Sequence, residues 1–274
     1  MAAEGASTMI ERPPMDLREA AGVQRKGLAG RRSGRASCVG LCLSEGECND
    51  SMPFRIAKFL GLLMLAPAVM AQGLAERLQQ AAPAASAEVL RLAADAVSCA
   101  NDRQAKRLAV IDYSLPSTEP RLWVFDLRKM RLMYEELVAH GRNTGELLAE
   151  RFSNQPGSYA SSLGLFRTLN TYVGRNGYSL RMEGLEPGVN DKAYERAIVI
   201  HGADYVSESF IEQTGRLGRS LGCPALRQDV AREVIDSLSD GQFVFSYYPD
   251  NRWLNTSRFV NCDKPRRTRL HSAP

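Results

Sequence analysis

The stretch Ala197–Leu226, AIVIHGADYVSESFIEQTGRLGRSLGCPAL, decides how the chain reads. It opens on the apolar run Ala197-Ile198-Val199-Ile200, a buried-strand pattern that ends on His201. A glycine-bearing link, Gly215-Arg216-Leu217-Gly218-Arg219, then leads into Ser220-Leu221-Gly222-Cys223. A histidine therefore stands at a strand end and a cysteine in a glycine-flanked turn. Separately, each has an ordinary explanation: a lone cysteine is usually a small hydrophobe and a lone histidine a satisfied polar residue. Together they form a workable dyad for acyl transfer. A thiol becomes a strong nucleophile only as the thiolate, and a nearby imidazole can take its proton. Glycine before the cysteine allows a tight turn and leaves backbone N–H groups to face an oxyanion.

Outward from this stretch, the pattern is one of strands. Leu108–Tyr113, Leu122–Asp126, Leu132–Ala139, Leu163–Thr168, Tyr178–Met182 and Phe243–Tyr248 each read as a strand. Helical periodicity is confined to Val230, Val234, Ile235 and Leu238, stopped near Gly241, and to residues 72–100, where Pro83 is a break. Within that N-terminal segment, Ser86 is placed as an N-cap and a helix is expected over 86–99, with Val89, Leu92, Ala93, Ala96 and Val97 on its apolar face. Many strands and few helices predict a mainly β fold, a β-sandwich with peripheral helices and an N-terminal helix.

The motif residues resemble the L,D-transpeptidase catalytic domain, the YkuD-like family of bacterial cell-wall enzymes. That pattern is His-Gly, a variable segment, then Ser/Thr-x-Gly-Cys, and it is matched here by His201-Gly202 and Ser220-Leu221-Gly222-Cys223. Many relatives carry a second histidine before the Gly-Cys and an Asn or Arg after it. Leu221 and Pro224 stand in those places, as in a sub-branch with Arg-Ser-x-Gly-Cys-Pro-Ala. The resemblance runs from about Arg107 to Tyr248 and implies a β-sandwich of the same type. It also implies Cys223 as nucleophile, His201 as base and the Gly202 backbone carbonyl as the group that orients the imidazole. Gly222 and Cys223 N–H groups would serve as oxyanion donors. Ser220 matches the family position and also reads as a turn residue bonding its own backbone. The implied substrate is a peptidoglycan stem tetrapeptide, attacked at its third residue with loss of D-Ala, and an amine acceptor completes a 3→3 cross-link. Hydrolysis of the same intermediate, giving a carboxypeptidase or endopeptidase, and a non-catalytic wall-binding module are the alternatives.

The chain of 274 residues is 44% hydrophobic and 24% charged, an ordinary globular composition. A net charge of +4, with no basic stripe, argues against a nucleic-acid partner. Residues 1–51 show no sustained periodicity and read as an over-extended, disordered leader; a cytoplasmic tail on a signal anchor is the alternative. Residues 52–71 carry Arg55 and Lys58, then an apolar run from Phe59 to Val69, then Val69-Met70-Ala71. That is a secretory signal peptide starting at Met52, too short for a comfortable membrane span. The mature protein is expected to begin at Gln72, exported to the periplasm or cell wall, with no stable membrane anchor after cleavage. A catalytic domain is expected over 101–262 and a basic tail over 263–274.

Export removes Cys38, Cys42 and Cys48 and leaves Cys99, Cys223 and Cys262. With Cys223 free, Cys99 and Cys262 are the pair an oxidising compartment would join; two unpaired buried thiols are the alternative. Arg216 and Arg219 flank the cysteine loop as candidate carboxylate binders, or as solvated loop residues. His140 ends a strand and reads as structural, and His271 lies in the tail. Three histidines without metal-ligand spacing predict no metal, and no cofactor is expected. Gly174-Arg175-Asn176-Gly177 lacks the phosphate-loop pattern and reads as a turn.

Overall fold

The computed structural model describes residues 73–262. The leader, the signal peptide, Gln72, the basic tail and His271 lie outside the described residues. Two helices come first, α1 (Leu74–Ala81) and α2 (Ala87–Ala100). The strands β1 (Arg107–Asp112), β2 (Leu122–Asp126), β3 (Arg131–Glu136), β4 (Val138–Ala139), β5 (Gly164–Gly174), β6 (Gly177–Gly184) and β7 (Val199–Gly202) follow. After them come α3 (Glu208–Thr214), β8 (Ala225–Leu226), α4 (Gln228–Leu238), β9 (Phe243–Tyr247) and α5 (Asn251–Thr256).

Among the described residues the nine strands belong to one sheet, in the order β3-β2-β1-β9-β5-β6-β7-β8-β4. Its two edges, β3 and β4, are separated in the chain by Leu137 alone. The sheet must therefore curl until its edges nearly meet, giving a nearly closed, sandwich-like barrel. The fold is mainly β, as the strand pattern predicted.

The curl explains why β1 is buried almost throughout rather than on alternate residues. Leu108 and Val110 join a cluster with Trp123, Phe125, Phe243 and Phe245, which the apolar faces of α1 and α2 cover. Ala109 and Ile111 face the other way, into a cluster with Val124, Leu180, Ile198 and Ile200. Helix α4 seals that side with Ala231, Val234, Ile235 and Leu238, spaced for one helical face.

Three local readings change. The run Leu132–Ala139 is two strands, because its first part pairs with β2 and its last two residues with β8 on the opposite edge. The hairpin turning through Gly174–Gly177 is longer than expected, with a register shift between Thr168 and Thr171. Helix α2 runs from Ala87 to Ala100, and Ser86, although at the N-cap position, makes no side-chain capping bond.

Candidate active site

Strands β7 and β8 run parallel, with His201 opposite Ala225. The His201 backbone N–H donates to the Pro224 carbonyl at 3.4 Å. This pairing carries Cys223 alongside Val199, whose N–H lies 3.5 Å from Sγ. On the other side, Sγ lies 3.6 Å from the carbonyl of Ala197, a non-glycine residue at φ +53°. The site thus sits at the C-terminal end of β7, with both side chains largely buried. Among the described residues no hydrogen bond joins His201 to Cys223.

The protonation state of His201 follows from one contact. Its Nδ1 lies 2.9 Å from the Gly202 carbonyl, which can only accept, so Nδ1 carries the proton and Nε2 is a bare acceptor. Burial holds the imidazole below its ordinary range, although the Gly202 bond opposes the shift. Burial likewise pushes the Cys223 thiol up, against the Val199 N–H and the positive charge of Arg196. At neutral pH the pair therefore rests as thiol and neutral imidazole rather than as an ion pair.

The cysteine turn is built by Ser220. Its hydroxyl donates to the Cys223 carbonyl at 2.6 Å and accepts from the Gly222 N–H at 3.0 Å. The Gly222 N–H is thereby occupied, whereas the Cys223 N–H has no protein partner among the described residues. Gly222 has φ +120°, and a Cβ there would lie 2.9 Å from the Ala160 carbonyl oxygen, so both its conformation and its packing require glycine. Gly202 is pressed against α4, where a Cβ would meet Ala231 at 2.9 Å.

Arg216 and Arg219 both reach Glu146, at 2.9 and 2.5 Å. Arg219 also donates to the carbonyls of Arg142 and Gly145. These two residues brace the 141–149 segment against the cysteine loop. Cys99 and Cys262 are joined by a disulfide with Cα atoms 6.0 Å apart, and Cys223 is free.

Two cations escaped the sequence reading. Arg196 has no carboxylate partner and satisfies itself on Ser153, Ser158, Ala160 and Ser162. Its positive charge bears on the Cys223 thiol and opposes the upward push of burial. Its place directly before the apolar run was a signal, but only the fold shows what it grips. Arg121 is fully buried and holds the carbonyls of Leu115 and Val138 and the Nδ1 of His140 at 2.8 Å. Because the guanidinium must donate, His140 carries its proton on Nε2 and passes it toward the Gly145 carbonyl at 3.2 Å. Burial and the Arg121 charge push the His140 imidazole down to about 4. His140 is thus a structural residue whose backbone carbonyl accepts from Ser220.

Among the described residues there is no group of three or more His, Cys, Asp or Glu placed to hold a metal ion, and no helix long and apolar enough to cross a membrane.

No curated protein sequence matches the chain. Among solved structures it is similar to an L,D-transpeptidase from Mycobacterium smegmatis, at 15% identity and TM-score 0.33, over 53% of this chain and 59% of that one. An L,D-transpeptidase from Stackebrandtia nassauensis matches at 15% identity and TM-score 0.32, over 64% of this chain and 76% of that one. The helical cell shape determining protein Pgp2 from Campylobacter jejuni matches at 12% identity and TM-score 0.34, over 58% and 56%. The chain spans about three-fifths of the length of the first of these. A family model of the L,D-transpeptidase catalytic domain matches residues 81–247. The match extends from the last residue of α1 to the last residue of β9 and takes in the whole sheet with His201 and Cys223, so the chain belongs to the L,D-transpeptidase catalytic domain family.

Proposed function

We propose that the protein is an exported cysteine L,D-transpeptidase acting on peptidoglycan stem peptides. The observation that carries this reading is the His201 tautomer. With Nδ1–H committed to Gly202, the free Nε2 is the atom able to receive a proton from the only free thiol among the described residues. In the proposed cycle Nε2 takes the Sγ proton as sulfur attacks the third-residue carbonyl of a stem tetrapeptide. The Cys223 N–H, unused by the protein, supports the developing oxyanion. The C–N bond to D-Ala breaks, the proton passes from Nε2 to the leaving amine, and a thioester remains on Sγ. An amine from a neighbouring stem then attacks the thioester, giving its proton to Nε2, and the C–S bond breaks. The released sulfur recovers that proton. A neutral resting pair suits this scheme, because proton transfer accompanies attack and no thiolate is stored.

The test is incubation of the mature protein with a stem tetrapeptide, reading both the adduct mass on Cys223 and the products. A thioester adduct, and a cross-linked dimer when acceptor is present, is the expected result. Cys223→Ala and His201→Ala should lower turnover by several orders of magnitude, roughly the loss on removing one member of a nucleophile–base pair. Full exchange of the terminal D-amino acid by Cys223→Ala would overturn the proposal. Hydrolysed tripeptide alone would identify water as the acceptor.

A further inference from the structure

We propose that Arg142, stacked on Tyr159, forms a binding subsite for a free carboxylate of the acyl donor. The proposal rests on the acyl-transfer reading and adds to it the group that recognises the donor.

The location comes first. A Cβ on Gly141 would lie 2.6 Å from the Tyr159 carbonyl oxygen and 2.8 Å from the Gly222 Cα. Three segments distant in sequence therefore meet backbone to backbone at the residue preceding the nucleophile. The Arg142 N–H donates to the Ser220 carbonyl at 2.8 Å, and the Asn143 N–H to the Tyr159 carbonyl at 3.1 Å. The Arg142 backbone is thus fixed against Ser220, the first residue of the cysteine turn.

The chemistry comes second. Of Arg142, Arg196, Arg216 and Arg219, three have their guanidinium donors engaged: Arg216 and Arg219 on Glu146, and Arg196 on its four oxygens. The Arg142 guanidinium has no ion pair or hydrogen bond among the described residues. It lies 4.3 Å over the Tyr159 ring centroid. With the ring against it and no protein acceptor among the described residues, its N–H groups are free to take a carboxylate through two parallel bonds.

The platform is the third observation. Tyr159 is an aromatic residue at φ +52°, in the left-handed region, with its ring at the surface. A bulky residue holds such a conformation only where its surroundings impose it. Here Arg196 grips both neighbours, Ser158 through its hydroxyl and Ala160 through its carbonyl. The same guanidinium whose charge bears on Cys223 thus presents the Tyr159 ring under Arg142. The ring at this left-handed position thus lies under a cation without an ion pair among the described residues, on the loop whose backbone meets Gly222.

A stem tetrapeptide whose third residue has no side-chain carboxylate offers two candidate carboxylates, the C-terminal one on the leaving residue and the free one on the second residue. Calorimetric titration of the Cys223→Ala protein with the tetrapeptide, its C-terminal amide and the peptide amidated at the second residue separates them. One amide should bind about tenfold more weakly than the acid, the loss of a hydrogen-bonded charge contact. Arg142→Ala should weaken the acid peptide by the same factor and become indifferent to that amide. Tyr159→Ala, which removes the ring from under Arg142, should weaken the acid peptide about two- to tenfold, roughly the worth of the cation–π contact. Equal affinity for all three peptides, or no binding of any, overturns the subsite. Acid preference with Arg142 present, but no thioester on Cys223 in the unsubstituted protein, would keep the subsite and sink the transpeptidase reading.

Discussion

Replacing Cys99 and Cys262 together by serine tests how the N-terminal helices are tied to the rest of the fold. The bond spans a sequence separation of 163. In the chain-entropy treatment a loop of that size removes about 17 cal/mol/K from the unfolded ensemble, or about 5 kcal/mol at 25 °C. The 190 described residues should unfold with an entropy of about 0.4 kcal/mol/K near 60 °C, so the full effect lowers Tm by about 12 °C. Residual structure in the unfolded chain reduces that figure, and a loss of about 5–12 °C is the expected range.

The assay is differential scanning calorimetry of three samples: the oxidised protein, the same protein with reductant, and the double serine variant. A second readout isolates the mechanism. If the bond acts on the unfolded state, the urea m-value should rise when it is absent, because the unlinked chain exposes more surface. Turnover at 25 °C should not change. The bond lies at the end of α2 and beside Val260, on the face of the sheet covered by α1 and α2, whereas Cys223 lies at β7 and β8. A Tm shift below about 2 °C with an unchanged m-value would refute the entropic argument. Loss of turnover at full folding would refute the separation of the two faces.

Two further outcomes follow from the site. Arg196→Ala removes the charge that draws the Cys223 thiol down, so alkylation by iodoacetamide at pH 8 should slow several-fold, roughly the change expected when a neighbouring cation is lost. Its pH midpoint, already above the ordinary thiol range, should move higher still, and an unchanged profile would show that Arg196 acts on the loop alone. His140 gives a stability signature: its imidazole is held at about 4 in the folded state against an ordinary 6.5. Its contribution is intact above pH 6.5 and declines as pH falls, because the unfolded chain takes up a proton that the folded one refuses. By about pH 4 the loss from this residue should reach about 3 kcal/mol. Urea unfolding at steps across that range should show the decline, and His140→Gln should flatten it. A decline of equal slope in the variant would assign it to other groups.

The strands and the two residues of the proposed dyad stand out in the sequence for different reasons. Strands such as β1 and β9 announce themselves as dense apolar runs, because both faces of the sheet are covered there. The proposed dyad shows because His201 and Cys223 each sit in a distinctive local setting, a strand end and a glycine turn. Helix α3 was missed for the opposite cause. It buries none of its residues, so no amphipathic period marks it, although Ser207 caps Phe210 N–H and Gly215 closes it at φ +75°. Capping chemistry was the usable signal. The split of β3 from β4 was not readable at all, because an apolar run does not say which edge each of its residues will join.

The same distinction governs the site. Residues acting through their neighbours in sequence were found, whereas those acting through contacts between distant segments were not. Arg196, Arg142 and Tyr159 depend on the meeting of positions 141, 159–160 and 222, and that meeting depends on two absent side chains. Gly141 admits the Tyr159 carbonyl and the Gly222 backbone; Gly222 admits the Ala160 carbonyl. Read singly, each glycine is an unremarkable turn residue. Read as a contact, the pair lets a loop bearing an aromatic ring and a guanidinium without an ion pair among the described residues lie flush against the turn that carries Cys223. A methyl group at either position would force that loop outward. Arg196, bonded to Ser158 and Ala160, would then be drawn away from Cys223, so the proposed acyl transfer and the proposed donor recognition should fail together.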